Sequence, residues 1–126
     1  GPRDVENGQC VVFRRDTYEK QTVALTELPA MLPGLLENIQ HNMYALADAF
    51  RQTRITDVHN MEELTRAVGG GFARAMWCGD RACEDKIKEL TAASSRNMPF
   101  DQTPIGDTCV CCGKKADKLI YFARAY

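Results

Sequence analysis

An α/β (α+β) fold is predicted by three features of this sequence. They are an apolar hairpin at the start, one long amphipathic helix after it, and from about residue 55 the order strand, helix, strand, helix, strand, strand. The last six elements make a small two-layer unit. In "GQCVVFRRDTYEKQTVAL" the strands run from Cys10 to Arg14 and from Thr22 to Leu25, joined by a polar turn with Asp16 and Tyr18. A hairpin alone is marginal in water, so it needs a partner surface. Leu32, Leu36, Ile39, Met43, Leu46 and Phe50 recur at helical spacing and form an apolar stripe that is expected to pack. Pro29 suits a first helical turn, whereas Pro33 and Gly34 are expected to delay the regular helix to about Leu35.

Beyond Arg54, "RITDVHN" reads as a short strand and "NMEELTRAV" as a short helix that stops at the glycines 69 to 71. Asn60, followed three residues later by Glu63, has the form of a capping box. "FARAMWC" alternates with period two, as a strand does. "CEDKIKELTA" places Cys83, Ile87 and Leu90 on one side of a helix with Asp80 as N-cap. "SSRNMPF" and "KLIYFARAY" complete the strands.

The cysteines carry the chemistry. A disulfide framework requires an oxidising compartment that nothing in the sequence indicates, and adjacent Cys111 and Cys112 fit one poorly. Cys10 lies in an apolar strand and reads as a small buried hydrophobe. Cys78 and Cys83 bridge a strand end and a helix start, while Cys109 and Cys112 precede Gly113 in the form of a zinc knuckle. Two such pairs predict a closed structural Zn2+ site with no open position for substrate. Cys111 is an alternative to Cys109 or Cys112; the two-residue spacing between Cys109 and Cys112, which lets both sulfurs point to one side of the turn, favours those two. His41 and His59 stand at no ligand spacing to either pair.

Net charge is -1, so any nucleic-acid contact needs a local patch. Arg3, Arg14, Arg15 and Lys20 around the hairpin, with Tyr18 as a stacking surface, are the candidates for single-stranded RNA. Composition alone favours a solvated hairpin tip. No apolar run approaches the roughly 20 residues that span a bilayer. "VGGGF" lacks the lysine and spacing of a phosphate loop, and no catalytic constellation is visible. "GPRDVENGQC" reads as the interior of a longer polypeptide.

Together "GPRDVENGQC", "VVFRRD", "GFARAMWCGDRACEDKIKE", "SSRNMPFDQ", "CVCCGKKADK" and "YFARAY" resemble the C-terminal part of prolyl-tRNA synthetases that carry a zinc-binding extension. The resemblance covers essentially the whole chain. It implies a cytoplasmic class II aminoacyl-tRNA synthetase, a homodimer that attaches proline to tRNA(Pro) using ATP. ATP and Mg2+ would be held by an upstream catalytic domain, so the chain alone should be inactive. Residues 1–54 would end the anticodon-binding domain and supply a connecting helix, and residues 55–126 would form the zinc domain. Cys78, Cys83, Cys109 and Cys112 match the family's zinc ligands, and Arg3 and Lys20 carry over as anticodon contacts. The terminal carboxylate of Tyr126 would approach the parent active site. The alternatives are a free-standing zinc-binding interaction module without RNA function, and a redox protein using Cys111 and Cys112.

Overall fold

Gly8, with φ +59°, turns the chain out of its first element and into a hairpin. The structure, a computed structural model, describes residues 1–125; Tyr126 and its expected role lie outside the described residues. Helix α1 spans Pro2–Glu6 and starts with a proline, whose missing N–H is no loss at a helix start. Sequence reasoning did not anticipate it. Strands β1 (Gln9–Phe13) and β2 (Lys20–Ala24) pair antiparallel from Gln9 opposite Ala24 to Phe13 opposite Lys20. Alternation turns Cys10, Val12 and Val23 inward and leaves Val11, Phe13 and Lys20 exposed.

Helix α2 runs over Leu28–Gln52 and passes straight through Pro33, earlier than the expected start. Only the N–H that would have met the Pro29 carbonyl is lost, and a helix of 25 residues absorbs one missing bond. A second expectation is corrected here. The partly covered residues of α2 are Leu28, Met31, Leu35, Ile39, Asn42 and Asp48, whereas Leu36 (63%) and Phe50 (61%) of the expected stripe are exposed. The helix carries two neighbouring apolar rows. Periodicity finds the rows but cannot say which one is covered.

Contacts divide the chain into a unit of Gly1–Phe50 and a second unit beginning at Arg51. In the second, β3 (Ile55–Val58), β4 (Phe72–Trp77), β5 (Ala93–Asn97) and β6 (Lys118–Arg124) form one sheet in the order β3-β4-β6-β5. β3 and β4 are parallel and joined through α3 (Met61–Ala67); β6 runs antiparallel to both β4 and β5. Helix α4 (Arg81–Thr91) precedes β5. Ala73 faces Phe122 and Ala75 faces Ile120 in register. These small and large residues pack with Val58, Leu64 and Ile87, so α3 and α4 cover one face of the sheet.

Both predicted caps form. Asn60 Oδ1 accepts the Glu63 amide at 2.9 Å, but the Glu63 carboxylate reaches past the cap residue to the His59 amide at 2.7 Å. Asp80 accepts the Ala82 amide at 2.9 Å. The glycine run is more than a helix stop, because a Cβ on Gly71 would run into the Arg54 carbonyl where β4 begins beside β3. Gly71→Ala is therefore expected to push the strand starts apart and lower stability by about 1–3 kcal/mol. Chemical denaturation followed by Trp77 fluorescence measures this; an unchanged midpoint would show that the backbone relaxes freely.

Candidate metal centre

Strand β4 ends at Trp77 and delivers Cys78 to the start of α4, where Cys83 lies in the first turn. Gly79, with φ +86°, makes the tight connection, and Asp80 caps the helix. The other two thiols arrive on a loop between β5 and β6. Thr108 bridges to Lys115, the Cys109 amide donates to the Lys114 carbonyl at 2.7 Å, and the Gly113 amide returns to the Cys109 carbonyl at 2.9 Å. Gly113 has φ +70°, which this turn demands. The Val110 amide donates to the Met76 carbonyl at 2.9 Å and pins the loop to the end of β4.

These two supports bring Cys78, Cys83, Cys109 and Cys112 together with all four sulfurs within 4.8 Å of one another. Cys78 Sγ lies 3.7 Å from Cys83 Sγ and 3.8 Å from Cys112 Sγ. Such distances are far beyond a disulfide bond of about 2.05 Å, and all six cysteines are free. Cys83 (6% exposed) and Cys109 (2%) sit inside a cluster with Met76, Ala116 and Leu119, whereas Cys112 closes the site from the surface. Cys111 is outside the group of four and packs against the hydrophobic clusters. His41 and His59 are exposed and also outside the group. The four sulfurs can hold a metal ion.

Burial pushes the Cys78 and Cys83 thiols up, and the neighbouring Cys112 and Cys78 sulfurs add to the rise at Cys83. Burial also opposes ionisation of Cys109, but the backbone N–H groups of Cys112, Cys111 and Cys78 outweigh it and bring that thiol down to about 7. The loop thus supplies the first thiolate. Lys115, Asp117 and Lys118 line the depression beside Cys78, and Lys118 Nζ is paired with the Asp117 carboxylate at 3.0 Å.

The candidate RNA residues have separate environments. Arg14 makes two hydrogen bonds to the Asp16 carboxylate (3.1 and 2.6 Å) and one to Asn38 at 2.8 Å. Asn42 also donates to Asp16, at 2.8 Å. Asp16 is 4% exposed by its side chain, and the Arg14 guanidinium holds its carboxyl far below the usual range. Arg14 therefore braces the hairpin against α2. Arg3, Arg15 and Lys20 are exposed. Lys20 Nζ lies 5.7 Å from the centre of the Phe13 ring, which stands 6.2 Å from the ring of Tyr18 (77% exposed). Sequence reasoning overlooked Phe13; its outward place in the strand alternation was the available signal.

Residues 61–126 match the family described as "Prolyl-tRNA synthetase, C-terminal". The chain is 52% identical over 130 residues to a proline--tRNA ligase of Agathobacter rectalis and 48% identical over 128 residues to one of Clostridium botulinum. All of this chain is covered in both alignments, and it spans 27% of the length of each relative. A crystal structure of prolyl-tRNA synthetase from Cryptosporidium parvum, complexed with L-proline and AMP, superposes with a TM-score of 0.91 at 32% identity. That alignment covers 100% of this chain and 28% of the other. The chain belongs to the prolyl-tRNA synthetase family, of which it represents the C-terminal part.

Proposed function

We propose that the chain serves proline--tRNA ligation as the zinc-stabilised, RNA-contacting C-terminal part of a class II prolyl-tRNA synthetase. The observation that carries this is the four-sulfur cluster, in a chain aligned over its whole length with proline--tRNA ligases. Zinc suits the cluster. A tetrahedral ion with Zn–S bonds of about 2.3 Å has sulfurs about 3.8 Å apart, and two of the pairs here, Cys78–Cys83 and Cys78–Cys112, stand at 3.7 and 3.8 Å. Four thiolates fill its coordination, so its work would be to tie the β4–α4 connection to the loop ahead of β6.

Proline activation with ATP and Mg2+ would belong to the part of the synthetase beyond this span, and the Tyr126 carboxylate would approach that active site. The same larger protein would be the cytoplasmic homodimer of the family resemblance. It would also cover the exposed apolar row of α2. No helix among the described residues is long and apolar enough to cross a membrane.

In the proposed RNA contact, Arg3, Arg15 and Lys20 meet phosphates while Phe13 and Tyr18 offer ring faces. Arg14 keeps the hairpin in place. The 126 residues are expected to yield no prolyl-tRNA in an aminoacylation assay, yet to bind tRNA(Pro) in filter-binding experiments. The double variant Arg15→Ala, Lys20→Ala should bind about 5–50-fold more weakly, with a shallower salt dependence. Unaltered affinity and salt slope in that variant would remove the hairpin from the RNA surface. A free-standing interaction module gains no support from an alignment that runs through the whole chain inside much longer ligases.

A further inference from the structure

Cys112 is the exposed member of the four-sulfur cluster. Behind it Cys83 and Cys109 are 6% and 2% exposed, and Met76, Ala116 and Leu119 close the far side. A small polar molecule arriving from solvent therefore meets the Cys112 sulfur first.

A second sulfur stands ready beside it. Cys78 Sγ lies 3.8 Å from Cys112 Sγ, and a disulfide bond requires the two to close by less than about 2 Å. Cys78 occupies a turn, with the end of β4 before it and Gly79 at φ +86° after it. The other thiols are worse placed to join Cys112. Cys83 is buried within the first turn of α4. Cys109 is buried too, and its amide and carbonyl are tied to Lys114 and Gly113. Cys111 packs against both hydrophobic clusters, and bonding to its neighbour would draw it out of the core.

We propose that Cys112 and Cys78 form a peroxide-responsive pair whose oxidation to a disulfide opens the metal site. The inference rests on the zinc reading above and adds a control to it. The Cys112 thiolate attacks one oxygen of a hydroperoxide; an S–O bond forms, the O–O bond breaks, and the second oxygen leaves. The Cys78 thiolate then attacks the Cys112 sulfur; the S–S bond forms, the S–O bond breaks, and hydroxide leaves. Two electrons pass from the two sulfurs to the peroxide, and solvent protonates both departing oxygens. Cys83 and Cys109 alone leave half of a tetrahedral coordination unfilled. The new bond joins the β4–α4 connection to the loop ahead of β6, the same two supports that the ion would tie. The loop is therefore not set free, and a thiol reductant can restore the site.

The test treats the zinc-loaded, full 126-residue chain with hydrogen peroxide. A chromogenic chelator follows released zinc, and mass spectrometry of an alkylated digest maps the linkages. About one zinc per chain should be released together with a Cys78–Cys112 crosslink. Dithiothreitol with added zinc should reverse both. Cys111→Ser and Cys10→Ser should respond at the wild-type rate. The linkage is also mapped on metal-free chain, so protein that carries no zinc before treatment fails the metal reading while the pair is still tested. The pair is overturned if peroxide leaves the six thiols free, if the linkage maps to Cys78–Cys83 or Cys111–Cys112, or if Cys112 ends as a sulfinic acid with no crosslink. Loss of the response in Cys111→Ser, or a crosslink that dithiothreitol does not reverse, would also overturn it.

Discussion

Cys109→Ser is expected to abolish metal binding and unfold the second unit at ordinary temperature, while the hairpin and α2 keep much of their helical signal. Cys109 is buried within the cluster formed by Met76, Cys83, Ala116 and Leu119, so losing the ion removes a tie inside the core. Binding free energies of structural zinc are on the order of 10 kcal/mol. The total stability of a small domain is about 5–15 kcal/mol. The metal term is therefore as large as the stability it supports. Trp77 is the single tryptophan and packs beside both clusters, so its emission reports on this unit alone.

A chelator should produce the same loss in the wild type, and acid should assist it. Cys78 and Cys83 are held as neutral thiols by burial when metal is absent. The metal-bound form carries fewer protons, so binding strengthens as pH rises and weakens as pH falls. Tryptophan emission that stays native in Cys109→Ser under chelator would show that the sheet and helices suffice without metal.

Phe122→Ala should cost about 3–5 kcal/mol, even with metal bound. Phe122 is fully buried (0% exposed) and faces Ala73 and Ser95 across its two strand neighbours. Neither small partner can fill the space the ring leaves, and Leu64 and Ile87 come from the helices above, so the hole stays open. Urea denaturation of the metal-loaded variant gives the value from Trp77 emission. A loss below about 1 kcal/mol would mean that the core closes over the gap.

What the sequence disclosed follows the range of the interaction. Asn60 and Asp80 act on helices that begin at the next residue, and the two cysteine pairs sit on tight turns punctuated by Gly79 and Gly113. Local geometry makes such features readable. Helix α1 was missed because five residues carry too little periodicity to register. The role of Arg14 was hidden for another reason: Asn38 and Asn42 complete its network from a helix more than 20 residues away.

Cys111 lies closest to the central claim, since it neighbours one sulfur of the cluster yet packs against the core. Elemental mass spectrometry of the purified chain, with Cys111→Ser and Cys112→Ser in parallel, is the most direct test of a closed zinc site. The account predicts one zinc per chain in the wild type and in Cys111→Ser, with the metal lost or sharply weakened in Cys112→Ser. Metal-free wild type, or zinc that depends on Cys111 and survives the loss of Cys112, would contradict it.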